Sequence, residues 1–308
     1  MTISASRHLR QLLAEPGIRV SVGVYDCLSA KLAEQQGFEL LFTSGFGMAA
    51  TVLGMPDFGL LTATEMLDRV RHIVRAVKAP VLADLDTGYG NPLNVIRTVR
   101  EAVECGVAGI LLEDQEWPKK CGHFEGKRVI PVTEHVEKIR AAVHARGDSE
   151  LVIVGRTDAR AEFGLGEAIE RGRAYRAAGA DVIFIEAPQA ESELAAIAHA
   201  FPGVPLFANL IEGGKTPPMS VAALERMGFK LAVFALAGLL SASWALTDCF
   251  QRIRREGTSG PLQERFSFRD FERVIAVEEY RQLEQSFTAA SPRSSHPEKP
   301  CGRVIGKT

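Results

Sequence analysis

Eight short apolar runs divide the chain at fairly even intervals: VSVGVY (20–25), ELLFTS (39–44), APVLADLD (79–86), GILLED (109–114), LVIVGRTD (151–158), DVIFIEAP (181–188), VPLFANL (204–210) and KLAVFAL (230–236). Each is too short for a buried helix. Each is followed by a stretch of helical period, such as 62–77, which opens with the capping box Thr62-x-x-Glu65. Runs that are apolar throughout, rather than at alternate positions, belong to strands buried on both faces, as in parallel sheets. Eight such units within about 250 residues fit a closed (β/α)8 TIM barrel better than an open doubly wound sheet. No G-x-G-x-x-G follows the first run, which speaks against a dinucleotide fold.

At 308 residues the chain suits one barrel domain over 1–290. Two further helices are expected after the last run, at 237–256 and 267–287. The second is amphipathic, lies outside the eight-fold count and reads as an oligomer contact. The segment 291–308 is polar and aperiodic and is expected to be a disordered tail. A hydrophobic share of 46%, a charged share of 24% and a net charge of -2 describe a globular protein with no electrostatic pull toward nucleic acid or membrane. The expected partners are small molecules and copies of the chain itself. Five cysteines, an odd number with no CxxC pair, give neither a disulfide framework nor a zinc ribbon and point to a reducing, cytoplasmic setting. The N-terminus lacks an apolar signal core, and no segment approaches the ~18 apolar residues that span a bilayer.

Barrel chemistry sits at the carboxyl ends of the strands, and there the acids collect. The third run ends in Asp84-Leu85-Asp86, the fourth in Glu113-Asp114, the fifth in Arg156-Thr157-Asp158 and the sixth carries Glu186; Asn209 and Glu212 follow in the seventh. Strand alternation places Asp84 and Asp86 on one face, with Glu113 within reach on the neighbouring strand. Such a set suits Mg²⁺, with Mn²⁺ as a substitute, completed by water and substrate oxygens. Arg156 is the natural counter-charge, with a fork suited to a substrate carboxylate. The bland alternative is that single strand-end acids cap helices or pair with Arg156. TGYGN (87–91) and EGGKT (212–216) also follow strand ends; the second lacks the leading glycine of a phosphate-binding P-loop, which excludes ATP.

WPKKCGH (117–123) raises three readings: a metal cluster, a nucleophilic thiol or a solvated basic loop. Zinc would need a second cysteine or a spaced histidine, and a covalent nucleophile would need a dedicated base. The cations around Cys121 lead one to expect a depressed thiol pKa. Cys105, inside a helical pattern, reads as core, and Tyr25 and Cys27 read as packing.

Taken in order, DLDTGYGN, LEDQ, KKCGH, RTDAR and NLIEGGKTP resemble the isocitrate lyase/phosphoenolpyruvate mutase superfamily over about 20–287, nearly all of the folded chain. Within it the chain is similar to petal death protein, to 2-alkylmalate or dimethylmalate lyases and to carboxyvinyl-carboxyphosphonate phosphorylmutase-like proteins. The resemblance implies a Mg²⁺ site at Asp84, Asp86 and Glu113, with Asp86 the direct ligand and Asp57 beside it. It implies substrate contacts from Ser44, Gly45, Phe46, Gly122, Arg156, Glu186 and Asn209. KKCGH becomes a mobile gating loop in which Cys121 protonates the enolate left by carbon–carbon cleavage, with Lys119, Lys120, His123 and Arg156 supplying positive charge. The implied protein is a homo-oligomer, a dimer of dimers that exchanges its C-terminal helix.

Two departures bear on the substrate. Phe46 stands where petal death protein has tyrosine, and Phe234-Ala235-Leu236-Ala237 carries no hydroxyl where oxaloacetate hydrolases have serine. The expected activity is therefore Mg²⁺-dependent cleavage of a 2-alkylmalate-like 2-hydroxydicarboxylate to an α-keto acid and a carboxylic acid. The alternatives are carboxyphosphonoenolpyruvate phosphonomutase or oxaloacetate hydrolase chemistry on the same site, and a non-catalytic barrel.

Overall fold

The computed structural model describes residues 3–260 and 265–288, so the tail expected at 291–308 lies outside the described residues. Eight parallel strands close on themselves in chain order: β1 (Arg19–Val24), β2 (Leu41–Thr43), β3 (Val81–Asp84), β4 (Gly109–Glu113), β5 (Val152–Thr157), β6 (Val182–Ile185), β7 (Leu206–Leu210) and β8 (Leu231–Phe234). All eight apolar runs contain a strand. The barrel closes where Val22 of β1 pairs with Phe234 of β8.

Helices return the chain between strands: α2 (Cys27–Gln35), α3 (Gly45–Met48) running into a π turn at Ala49–Leu53, α4 (Ala63–Ala76), α5 (Pro92–Cys105), α6 (Val132–Arg146), α7 (Arg160–Ala178), α8 (Glu191–Ala200) and α9 (Val221–Met227). The α4 capping box forms as expected, with Thr62 accepting from the Glu65 N–H and Glu65 accepting from the Thr62 N–H. After β8, α10 (Ala237–Glu256) completes the eighth βα unit.

Two apolar clusters follow from strands buried on both faces. One lies between strands and helices. The other fills the barrel with Phe42, Leu82, Leu111, Val154, Phe184, Phe207 and Val233. Leu9 joins this inner cluster from α1 (Ala5–Ala14), a helix that the strand pattern does not reveal. Arg10 of α1 donates to the carbonyls of Glu150 and Leu151 and pairs with Asp181 at 3.1 Å, which fixes α1 across the amino-terminal end of β5 and β6.

The chain divides into two compact units, Met1–Thr258 and a second that begins at Ser259. In the second unit the single helix expected over 267–287 is two, α11 (Phe268–Val274) and α12 (Val277–Thr288). The break falls at Ala276, whose φ of 58° is left-handed and cannot continue a right-handed helix. Among the described residues no helix is long and apolar enough to cross a membrane.

Candidate active site

The carboxyl ends of the strands surround a pocket lined by the residues expected to bind metal or substrate, Asp86 excepted; the strand-end acids Asp114, Asp158 and Glu212 do not line it. Ser44, Gly45 and Phe46 lie beyond β2, Asp84 and Glu113 end β3 and β4, Arg156 is on β5, Glu186 follows β6 and Asn209 is on β7. Asp57, Lys119, Lys120, Cys121, Gly122 and His123 close it from above. Phe42, Phe184, Phe207, Ile211, Ala235 and Leu236 supply an apolar wall.

Asp86 comes to the same place by a turn, not by strand alternation. β3 stops at Asp84, and Asp86 takes a left-handed φ of 51°, its N–H donating to Asp84 Oδ1 at 3.1 Å. Gly45 makes room for both acids, since a Cβ there would lie 3.0 Å from Asp84 Oδ2 and 3.5 Å from Asp86 Oδ1. Lys119 binds this group, its Nζ 2.6 Å from Asp57 Oδ1 and 2.7 Å from Asp86 Oδ1. Burial raises the pKa of Asp84 and Glu113, and raises Asp86 to about 6, against the pull of Lys119 or Arg156. Burial would lower the pKa of Lys119, but Asp86 and Asp57 carry it well above its ordinary value. Glu113 Oε1 is buried with no hydrogen-bond partner. Among the described residues no three His, Cys, Asp or Glu side chains form a ready set of metal ligands.

The guanidinium of Arg156 does not stand open for a substrate carboxylate, as its residue type suggested. Asp158 holds it bidentately, Nε to Oδ2 at 2.8 Å and Nη2 to Oδ1 at 3.0 Å. Glu113 Oε2 lies 3.2 Å from Nη1, and Glu186 Oε2 lies 3.2 Å from Nη2. Asp158 is fixed from behind by Asp114, which accepts from the Asp158 N–H at 2.9 Å, the Thr157 hydroxyl at 2.7 Å and the Tyr175 hydroxyl at 2.6 Å. Burial works against the charge on Asp158, but Arg156 and Lys127 hold its pKa far below the usual carboxylate range.

The loop over the pocket is anchored at several points. Gln115 exchanges two hydrogen bonds with the Lys120 backbone, at 2.8 and 2.9 Å, and the Cys121 N–H donates to the Asp57 carbonyl at 3.1 Å. Gly122 is required by crowding, because a Cβ there would sit 2.5 Å from both Arg156 Nη2 and Glu186 Oε2. His123 Nδ1 accepts from the Lys215 N–H at 2.9 Å, so a single ring proton belongs on Nε2, 3.3 Å from Glu186 Oε1. Burial opposes the charge on Glu186, yet Arg156 and His123 bring its pKa down to about 2. Lys120 turns its ammonium to the Gly126 carbonyl at 3.1 Å, leaving Lys119 as the lysine that enters the acids.

Cys121 is 7% exposed. Its pKa is pushed up to about 11, chiefly by burial and also by Asp57 and Glu186, against the backbone of His123 and the charge of Arg156. This reverses the depressed value expected from the neighbouring cations: Lys119 and Arg156 are held by carboxylates and Lys120 by the Gly126 carbonyl, and what the sulfur experiences is chiefly loss of water. The thiol is protonated at neutral pH.

Lys127 carried no sequence signal, and Asp114 showed as a strand-end acid but not as the support behind Asp158. Asp158 was visible as a strand-end acid, but not as the partner that occupies Arg156. Phe124 carried no sequence signal; it stacks edge-on against Phe46 at 6.1 Å and Phe58 at 5.6 Å.

The family model described as phosphoenolpyruvate phosphomutase matches residues 9–254. The 2,3-dimethylmalate lyase of Eubacterium barkeri is 41% identical over 92% of this chain and 99% of its own length. Among solved structures, oxaloacetate acetylhydrolase in complex with the inhibitor 3,3-difluorooxalacetate is 36% identical, with a TM-score of 0.89 over 92% of this chain and 97% of the other. Phosphonopyruvate hydrolase, solved with oxalate and Mg²⁺, is 30% identical, with a TM-score of 0.84 over 93% and 100% of the two chains. Barrel, strand-end acids and loop thiol thus occur together in a chain that belongs to the isocitrate lyase/phosphoenolpyruvate mutase superfamily.

Proposed function

We propose that the chain is a Mg²⁺-dependent lyase that splits the C2–C3 bond of a 2-alkylmalate-like 2-hydroxydicarboxylate, giving an α-keto acid and a carboxylic acid in the cytoplasm. The observation that carries this reading is the protonated, buried thiol of Cys121 held over a cluster of strand-end carboxylates. A dicarboxylate similar to those in the relatives' names fits the apolar wall, where Phe46, Ala235 and Leu236 face an alkyl substituent rather than a hydroxyl. Among the described residues all four cysteines are free, in keeping with a reducing compartment and a working thiol.

The acid group suits a divalent cation. Asp84, Asp86 and Glu113 bring three carboxylates to one buried place, where loss of water raises their pKa, and the unpartnered Glu113 Oε1 is a hard oxygen donor. Carboxylate oxygens suit Mg²⁺, which retains water and takes substrate oxygens. Asp86 would be the direct ligand, with Asp84 and Glu113 acting partly through water. When bound, the ion acidifies the 2-hydroxyl and steadies the substrate carboxylate.

The chain's own groups complete the reaction. Transfer of the 2-hydroxyl proton to a general base turns C2–O into a carbonyl as the C2–C3 electron pair moves into the departing fragment as an aci-carboxylate. Arg156, Lys119 and His123 place positive charge and donors around that developing charge. Cys121 then gives its S–H proton to C3, and the thiolate regains a proton before the next turnover. A neutral thiol keeps the acid role expected from the sequence, though without the depressed pKa expected with it.

The test is a panel of 2-alkylmalates including 2,3-dimethylmalate, with methylisocitrate, oxaloacetate and phosphonopyruvate, assayed for keto-acid release with Mg²⁺ and then with EDTA. The expected result is the highest kcat/KM on a 2-alkylmalate, loss of activity in EDTA and recovery with Mg²⁺ or Mn²⁺. Turnover indifferent to EDTA would refute the metal assignment, and turnover confined to oxaloacetate or phosphonopyruvate would refute the alkylmalate assignment.

A further inference from the structure

We propose that Lys127 is a positioning residue: a latch that holds the Cys121 loop shut by joining the loop backbone to the acid that aims Arg156. The inference rests on the proposed role of the loop, but its geometry stands by itself. Lys127 does not line the pocket, and its side chain is only 1% exposed. Its ammonium bonds to the Gly122 carbonyl and lies 2.6 Å from Asp158 Oδ1. The same Asp158 oxygen accepts from Arg156 Nη2 at 3.0 Å.

An ammonium buried this deeply is costly unless its donors are met, and here one of its partners belongs to the loop. The base of the loop is a narrow ribbon: Gln115 and Val129 form an antiparallel bridge, and the Glu116 N–H donates to the Arg128 carbonyl at 2.9 Å. Lys127 leaves that ribbon and reaches back to the carbonyl between Cys121 and His123. Lifting the loop breaks the Gly122 bond and leaves the ammonium to Asp158 alone. Lys119, Lys120, Cys121, Gly122 and His123 all line the pocket, so a lift of the loop that carries them opens it to a substituted dicarboxylate. Reclosure then restores two connections at once: Lys127 to Gly122 on the β5 side, and His123 to Glu186 on the β6 side. Because Lys127 and Arg156 share one carboxylate oxygen, loop closure and the aim of Arg156 are set together.

The experiment is iodoacetamide alkylation of the intact enzyme at neutral pH, with each cysteine followed by peptide mass spectrometry. Cys105, buried on α5 away from the loop, reports whether the fold is intact. In the Lys127→Met variant, Cys121 should be alkylated at least about tenfold faster than in wild type while Cys105 stays protected. Lys127→Arg should restore part of the protection. With 2,3-dimethylmalate, kcat should fall about tenfold or more with a smaller change in KM, as expected when the acid is misplaced after binding. Alkylation of Cys121 within about twofold of wild type in a folded Lys127→Met enzyme would overturn the latch. Should Lys127→Met, Lys127→Gln and Lys127→Arg all expose Cys105, the lysine holds the fold and not the loop, and the latch is again overturned. The labelling arm needs no substrate: fast Cys121 labelling in Lys127→Met upholds the latch even in an enzyme that fails on every alkylmalate, a result that would reject only the lyase reading.

Discussion

Cys121 shows what a residue's identity conveys and what only its surroundings supply. The sequence marks it as chemical because it sits among lysines and a histidine, and that much survives in the structure. The direction of its pKa does not, because adjacent letters do not reveal that Lys119 is spent on Asp57 and Asp86 or that Arg156 is spent on Asp158. As an acid with a pKa near 11, Cys121 keeps its proton throughout the neutral range, so an alkaline fall in kcat below about pH 10 belongs to another group. Replacing it tests the role directly. Cys121→Ser should lower carbon–carbon cleavage by about 10²–10⁴-fold, since a hydroxyl is a far weaker acid, while Mg²⁺ binding measured by calorimetry stays near that of wild type. Full turnover in the serine variant would remove Cys121 from the mechanism.

Elements were more legible than the turns that join them. Eight apolar runs located eight strands, and Thr62 and Glu65 located the start of α4, because these signals are local. Asp86 lies beside Asp84 for a reason the alternation rule does not contain: a left-handed turn after the strand brings it there. The contact between α6 and α7 was not legible at all. There His135 of α6 is fully buried, its ring 4.5 Å from and edge-on to Tyr175, whose hydroxyl supports Asp114. Burial, aided by Lys138 and Arg171, lowers its pKa to about 3. Above pH 6.5 the histidine is neutral in both folded and unfolded chains and contributes no pH dependence. Below that value the unfolded chain takes up a proton that the folded one refuses, so stability is lost as pH falls toward the folded value. Between pH 7 and pH 5 wild type should therefore lose about 2 kcal/mol more than His135→Phe, as read from urea unfolding. Parallel pH profiles for the two proteins would contradict this account.

At the scale of the whole molecule, the barrel was legible because a closed parallel sheet is the economical way to bury eight strands on both faces. The stopper helix α1 and the break at Ala276 were not, since neither carries a strand signal, a glycine or a proline. The apolar side chains Trp244 and Phe250 on α10 are exposed, as are Tyr280 and Phe287 on α12. Such surface is the usual mark of association, which the homo-oligomer and C-terminal helix exchange expected from the sequence would require. Removing residues from 267 onward should yield a smaller, less soluble species by size-exclusion chromatography with light scattering. An active oligomer of unchanged size would dispose of the exchange.

The seating of Leu9 in the inner cluster has a bearing on proton traffic. With α1 corked into the amino-terminal end and Phe184 stacked on Phe207 at 4.4 Å across the lumen, the barrel is a vessel with one mouth. Substrate, product, water and protons all pass the same rim, where the Cys121 loop lies. On the proposed mechanism, a Cys121 thiol that has surrendered its hydrogen, buried while the loop lies over it, would be recharged as that rim is uncovered, so that recharging the acid and discharging the products would coincide.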